Sequence, residues 1–254
     1  MESIGFLDDR YPVRTVYTNS SDWSRYAGLP PSEDRRKALQ AYLGTPIDQL
    51  TYAYETHSGT VLAITSVVAQ TLTRINVSDI PSRIGTYDAM VTALPRTMLC
   101  ILTADCLPLF LYDPQHHVAA IAHCGWRGIC NGIASGTVGV MADRFGVNPQ
   151  HVVAAFGPAI CKRCYEVGDE LMEAFATRFS KTEVAQIFGA GRDGKSLLDL
   201  RAAVTLELRH SGVQPERIHD TGICTFESKA YPSCRRSGKL LAAHQQMHSG
   251  IMLV

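Results

Sequence analysis

Short apolar runs closed by turn residues fill the middle of this chain, and apolar positions at helical spacing occupy much of its second half. Residues 61–68 are β-branched and bounded by Gly59. Residues 98–103, 107–112 and 118–123 are nearly continuous apolar runs, and Asp113-Pro114 separates the last two. Runs of this length between turn signals predict buried strands. Residues 152–156, 217–224 and 251–254 read as strands too. Ile129, Ile133, Val138 and Met141 carry helical spacing through residues 128–144, and Gly146-Val147-Asn148-Pro149 closes that run. Val167, Leu171, Phe175 and Phe179 recur every four positions and predict a helix over 166–179. Residues 198–210 form a further helix, stopped by Ser211-Gly212. Residues 35–43 form a short one, with Ser32 and Asp34 as capping candidates and Gly44-Thr45-Pro46 as its stop. The first 35 residues are only weakly periodic, and 189–195 read as a loop.

Strands and helices mix without regular alternation, and no G-x-G-x-x-G follows the first strand, so a dinucleotide-binding fold is excluded. The expected architecture is a mixed α/β (α+β) fold with layered sheets and helices outside. No linker splits the chain, so residues 1–254 read as one domain with a distinct N-terminal segment, 1–50. Lys plus Arg equals Asp plus Glu, at 24 each. That balance gives no basic excess for nucleic acid or an anionic membrane. The N-terminus lacks the basic and apolar regions of a signal peptide. No apolar run approaches the roughly 20 residues that span a bilayer. Eight cysteines in such a chain are expected as reduced thiols in a cytoplasm.

Candidate chemistry concentrates in Thr103-Ala104-Asp105-Cys106 and in Ala122-His123-Cys124-Gly125-Trp126-Arg127-Gly128. Each follows an apolar run, and Cys106 and His123 stand 17 residues apart, so two strands joined by a turn can bring them together. His57, in Glu55-Thr56-His57-Ser58-Gly59, is the candidate third ligand. One thiolate and two imidazoles suit a borderline-soft ion and leave a fourth position open. Taken singly, a strand-end cysteine is more often a small core residue and a lone histidine more often structural. Asp105 is a candidate orienter of an imidazole or a general base. Arg127 would stand at the start of the following helix, where anions are favoured. The cations of Ser233-Cys234-Arg235-Arg236-Ser237-Gly238-Lys239 form either a solvated loop or an anion clamp. His116-His117 sits at a turn tip, which favours exposure. His244 and His248 form an alternative metal pair. Cys161-Lys162-Arg163-Cys164 is the only C-x-x-C, and without a second pair it reads as structural. The chain has neither the H-x-E of zinc nucleobase deaminases nor any H-x-H of the kind a four-copper oxidase needs.

These motifs occur in a specific order. Asp88-Ala89-Met90-Val91-Thr92, the two segments around Cys106 and His123, Gly157-Pro158-x-Ile160-x-x-x-Cys164-Tyr165-Glu166-Val167-Gly168 and Arg235-Arg236-x-Gly238 together resemble the YfiH/laccase-domain (multicopper polyphenol oxidase-like) family, whose members are also described as purine nucleoside phosphorylases. The resemblance runs from about Tyr54 to the C-terminus. It implies an αββα-type sandwich and a zinc ion, with copper as the alternative, held by His57, Cys106 and His123. It also implies phosphorolysis of purine nucleosides, including methylthioadenosine, and deamination of adenosine. Polyphenol oxidation, Cys-His hydrolysis of peptidoglycan precursors and a non-catalytic zinc-stabilised protein are the alternatives. Asp105 and Glu55 are then candidate proton carriers, and Arg127, Arg235 and Arg236 candidate phosphate ligands, in a monomer or homodimer. Glu55 stands where the family usually has Gln, Cys234 where Tyr is common, and the family's N-terminal glycine-rich stretch has no clear counterpart.

Overall fold

A computed structural model describes residues 1–19, 33–53, 55–66, 86–242 and 245–254. Six strands build its largest sheet: β3 (Val61–Ile64), β4 (Ala89–Thr92), β6 (Leu107–Asp113), β7 (Val118–Cys124), β8 (Val153–Phe156) and β12 (Ile218–Asp220). Their order is β12-β8-β6-β7-β4-β3. A second sheet holds β1 (Val13–Tyr17), β2 (Gln49–Tyr52), β5 (Thr97–Thr103) and β13 (Met247–Leu253), in the order β1-β13-β5-β2. A small third sheet joins β9 (Glu166–Val167), β10 (Phe188–Ala190) and β11 (Ser196–Leu198).

The period-two alternation of side chains separates the layers. Leu107, Leu109 and Leu111 of β6 pack with residues of the helices Ile133–Phe145, Glu170–Ala176, Lys181–Ile187 and Leu200–His210. Phe110 and Tyr112, on the opposite face, pack against Leu99, Ile101, Ile251 and Leu253 of the four-stranded sheet. The outer face of that sheet, with Val16, Met98, Cys100 and Met252, is covered by Leu39 of the helix Glu33–Leu43. Helix, sheet, sheet and helix are therefore stacked in that order. Because the central strands are buried on both faces, they read as continuous apolar runs and not as alternating ones.

Several boundaries differ from the sequence reading. The helix expected over 128–144 is two, Trp126–Cys130 and Ile133–Phe145, because Gly132 between them adopts a left-handed φ of 76°. The helix expected over 166–179 begins only at Glu170, since Glu166 and Val167 pair with Leu197 and Ser196. A separate helix, Lys181–Ile187, follows with a capping box between Ser180 and Glu183. Residues 189–195 are largely the tip of the β10–β11 hairpin. Ser196–Leu198 is a strand, and Asp199 caps the helix that follows it. Over 217–224 only Ile218–Asp220 forms a strand, with Cys224 in an isolated bridge to Ala159, whereas the last strand starts four residues early, at Met247. The weakly periodic N-terminus contributes the helix Gly5–Arg10 and the edge strand β1, paired with β13. Ser32 and the end of the run 61–68 lie outside the described residues, as does the side chain of Asp34.

Candidate metal centre and its cleft

Cys106, His57 and His123 converge at one end of the six-stranded sheet, and their ligand atoms all lie within 4.8 Å of one another. The antiparallel register of β6 and β7 pairs Leu107 with Cys124 and Pro108 with His123, so the residue entering β6 meets the residue leaving β7. The strand before Cys106, β5, belongs to the other sheet. Cys106 thus sits at the crossover between sheets, and Asp105 makes the reversal with a left-handed φ of 89°. His57 also holds a positive φ, 59°, a conformation that the surroundings must enforce. Asp88 does so. Its fully buried carboxylate accepts the backbone N–H groups of His57 at 2.8 Å and Ser58 at 2.6 Å, and the Ser58 hydroxyl at 2.6 Å.

The three side chains fit a metal ion. Both ring nitrogens of His123 are buried without a hydrogen-bond partner, an arrangement that is costly unless something else engages them. Cys106 Sγ is 3.9 Å from His57 Nε2, and the two imidazole centroids are 4.9 Å apart. A Cβ at Gly125 would enter the gap at 2.8 Å from His57 Cδ2 and 3.0 Å from Cys106 Sγ, so only glycine leaves it free. Burial pushes the Cys106 thiol up, but the positive charge of His123 and the contacts of both imidazoles outweigh burial and bring it down to about 6. Burial works against the charged form of His123, yet the neighbouring Cys106 thiolate and the Glu55 carboxylate raise it well above the ordinary imidazole range. Cys124, one strand position on from His123, is pushed up by burial and stays a thiol.

The other candidates divide by what their side chains touch. Glu55 accepts the backbone N–H of Leu102 at 2.7 Å, and its Oε1 lies 4.0 Å from His123 Nδ1. It is therefore Glu55, and not Asp105, that stands behind an imidazole. Both oxygens of Asp105 are engaged, by the hydroxyls of Thr225 (2.7 Å) and Ser233 (3.0 Å) and by the backbone N–H of Arg235 (2.7 Å). A carboxylate so occupied ties three distant segments together and makes no hydrogen bond to an imidazole. Arg127 and Arg235 line a cleft of about 240 Å³ together with His57, Cys106 and His123. Arg127 lies over the Trp126 ring at 4.2 Å, and Arg235 over the Tyr165 ring at 5.1 Å. Arg236 does not reach the cleft. Its guanidinium donates to the backbone carbonyls of Thr225, Phe226, Ser228 and Tyr231 and staples that loop.

Tyr165, Trp126 and Leu200 also line the cleft, and sequence reasoning gave none of them a role. Tyr165 stood within the quoted Cys164-Tyr165-Glu166-Val167-Gly168 motif, which is the signal that could have found it. Burial, reinforced by the Cys106 thiolate, raises its phenol and keeps it protonated. His116 and His117 are taken up at the hairpin turn by Asp113 and Tyr112. His248 contacts the Tyr52 hydroxyl, and His244 lies outside the described residues. None of the eight cysteines is in a disulfide.

Layered sheets and a half-buried thiol with two imidazoles under an open cleft define a class: an α/β/β/α protein with a mixed sulfur–nitrogen centre suited to one ion. The chain belongs to the family described as multi-copper polyphenol oxidoreductase laccase, which matches it over residues 32–252. Adenosine deaminase RL5, from an unknown prokaryotic organism, is 34% identical over 207 residues, covering 81% of this chain and 76% of that protein. Purine nucleoside phosphorylase SCO2081 of Streptomyces coelicolor is 40% identical over 149 residues, or 59% of this chain and 58% of that protein. The alignment thus spans less than two thirds of this phosphorylase relative. The crystal structure of the hypothetical protein YfiH of Bacillus licheniformis superposes with a TM-score of 0.78 at 25% identity, covering 95% of this chain and 93% of that one. Among the described residues, no helix is long and apolar enough to cross a membrane.

Proposed function

We propose that this protein is a zinc-dependent purine nucleoside phosphorylase, and that deamination of adenosine is a second activity of the same centre. The observation that carries the reading is one cleft with a thiol and two imidazoles together, and two guanidiniums and an aromatic and aliphatic lining beside them. His57, Cys106 and His123 would hold the ion, and the mixed donor set suits zinc. Bound there, zinc supplies a Lewis-acid centre with a position left open by three protein ligands.

The chain's own residues account for the rest. Arg127 and Arg235 orient the phosphate and bear its charge, for which a planar guanidinium is suited. The purine lies against Tyr165, Ile160 and Leu200, all in the lining. A phosphate oxygen bonds to the anomeric carbon as the bond from that carbon to the purine nitrogen breaks. The electron pair leaves with the purine, which takes up the proton that the attacking hydrogen phosphate gives up. The protonated hydroxyl of Tyr165 offers a hydrogen bond to the departing base. Glu55 positions His123, and Asp105 positions Arg235 through its backbone N–H. The deaminase reading is favoured by the relative aligned over 81% of the chain.

The test is to purify the protein, measure its metal by elemental analysis and incubate it with adenosine, with and without phosphate. Phosphate-dependent release of adenine, lost in Cys106→Ala, is expected, with inosine as the product of the second activity. Copper-dependent oxidation of phenols without turnover of any nucleoside would overturn the assignment.

A further inference from the structure

Outside the cleft, a second group of ligand-capable side chains converges. The ligand atoms of Cys161, Cys164, Cys224 and Glu227 all lie within 4.8 Å of one another. Glu227 Oε1 is 3.8 Å from Cys161 Sγ and 3.6 Å from Cys164 Sγ, and the backbone N–H of Cys161 points at Cys224 Sγ from 3.3 Å. The chain contains one C-x-x-C, and a closed zinc site built of such turns needs a second pair. Tertiary structure supplies it as Cys224-Thr225-Phe226-Glu227, with a carboxylate in place of the fourth thiol. Each half then has two ligands separated by two residues.

The backbone presets this meeting. Ala159 and Cys224 form a parallel bridge, Thr225 donates to the Ala159 carbonyl at 3.2 Å and Ala159 to the Ile223 carbonyl at 3.2 Å. The Arg201 guanidinium donates to the carbonyls of Ala159, Ile160 and Ile223, locking the two loops to each other. Cys161 opens the 3-10 turn Lys162–Cys164, and Cys164 donates back to the Cys161 carbonyl at 3.0 Å. Three thiolates and a carboxylate around a divalent ion leave net negative charge. Arg163, between the two cysteines, contacts Glu227 Oε1 at 3.0 Å, and a cation so placed offsets that charge, whereas Lys162 Nζ donates away from the cluster to the Gln186 carbonyl at 3.0 Å.

We propose that Cys161, Cys164, Cys224 and Glu227 form a second metal site, closed by four protein ligands and selective for a thiophilic divalent ion, zinc. It shares no residue with the cleft and does not depend on the function proposed for it. Its role is to pin the loop that delivers Tyr165 to the loop that delivers Thr225, Ser233 and Arg235 to Asp105.

The experiment loads the reduced full-length protein with zinc, removes the excess and counts the metal by elemental analysis. Four forms are compared: the natural chain, Cys106→Ala, Glu227→Ala and the double variant Cys106→Ala/Cys161→Ser. Cys106→Ala is expected to keep one zinc that the double variant loses. Loaded with cobalt instead, Cys106→Ala is expected to show thiolate-to-cobalt charge-transfer absorption, and the double variant none. Glu227→Ala, a change at an exposed side chain, is expected to hold this zinc at least about tenfold more weakly against a chelator, with its circular dichroism unchanged. The proposal is overturned if reduced Cys106→Ala takes up no metal, or if its metal survives replacement of Cys161. A disulfide among the three thiols that re-forms in the presence of zinc also overturns it. Because the count is made without Cys106, failure of the cleft assignment would leave this result readable.

Discussion

Replacing Gly125 by alanine separates the metal centre from the fold. The φ of −77° and ψ of 162° at this residue are open to any amino acid, so the backbone itself does not demand glycine. Space demands it. An added Cβ would stand 2.8 Å from His57 Cδ2 and 3.0 Å from Cys106 Sγ, where ordinary contact begins at 3.4 Å. The imidazole must therefore retreat by about 0.6 Å and the sulfur by at least about 0.4 Å. Metal–ligand distances tolerate only about 0.2 Å, so the displaced ligands cannot both stay in place. Disturbing the support of a single ligand costs about 10- to 100-fold in metal affinity, and two are disturbed here. We expect a loss near the upper end, about 2.8 kcal/mol at 1.4 kcal/mol per factor of ten. Overpacking costs about 1–3 kcal/mol of stability, offset by about 0.4–1 kcal/mol from the stiffer unfolded chain. Gly125→Ala should thus remain folded. Competition with a chromophoric chelator measures the affinity, and urea unfolding of the metal-free protein measures stability. Affinity equal to that of the natural protein would refute the reasoning, and so would wholesale unfolding.

Asp88→Asn keeps the size of the side chain but turns an amide group toward N–H and O–H donors that now meet a carboxylate. The loop with left-handed His57 should lose about 2–4 kcal/mol of support, read as a lower urea midpoint together with weaker metal retention. Arg127→Ala should raise the KM for phosphate while leaving the unfolding curve within about 0.5 kcal/mol of the natural protein. Arg236→Ala should do the reverse first: it orphans four carbonyls and lowers stability by about 2–4 kcal/mol, which denaturant titration will show. Glu207, buried against Arg178 at 2.6 Å, is raised by desolvation to about 7 from an ordinary 4.5. Its folded form binds the proton more tightly than its unfolded form. The stability it contributes is therefore fully present below about pH 4.5 and lost as pH rises through about 7. The urea midpoint should fall across that window, and Glu207→Gln should flatten the fall.

How much of this was legible beforehand depended on whether the cause was local. The runs around Cys106 and His123 announced strands because β5, β6 and β7 are buried on both faces and must be apolar throughout. The three candidate ligands and the family resemblance were equally open to reading, since short motifs of unusual composition carry both. Strand β1 escaped notice because its pairing with β13 joins residues 232 to 240 positions apart, from Tyr17 with Ser249 to Val13 with Leu253, and nothing near residue 13 signals that partner. Helical spacing through 166–179 misled because Glu166 and Val167 are held in a strand by Ser196 and Leu197.

Side-chain roles were decided in the same way. Arg127 and Arg236 are alike as sequence, yet one lines the cleft and the other is consumed by four carbonyls. Asp105 was the expected orienter of an imidazole, yet Glu55 stands beside one, because Thr225 and Ser233 occupy the first carboxylate and His123 lies beside the second. Composition, motif order and local burial pattern were determined by the sequence alone: an α/β chain with a thiolate–imidazole centre. Which carboxylate supports which ligand, which arginine faces the cleft, and that Cys224 and Glu227 complete Cys161 and Cys164 were decided only when sheet pairing brought distant segments within hydrogen-bonding range. Interactions a few ångströms long cannot be read from residues that become neighbours only after folding.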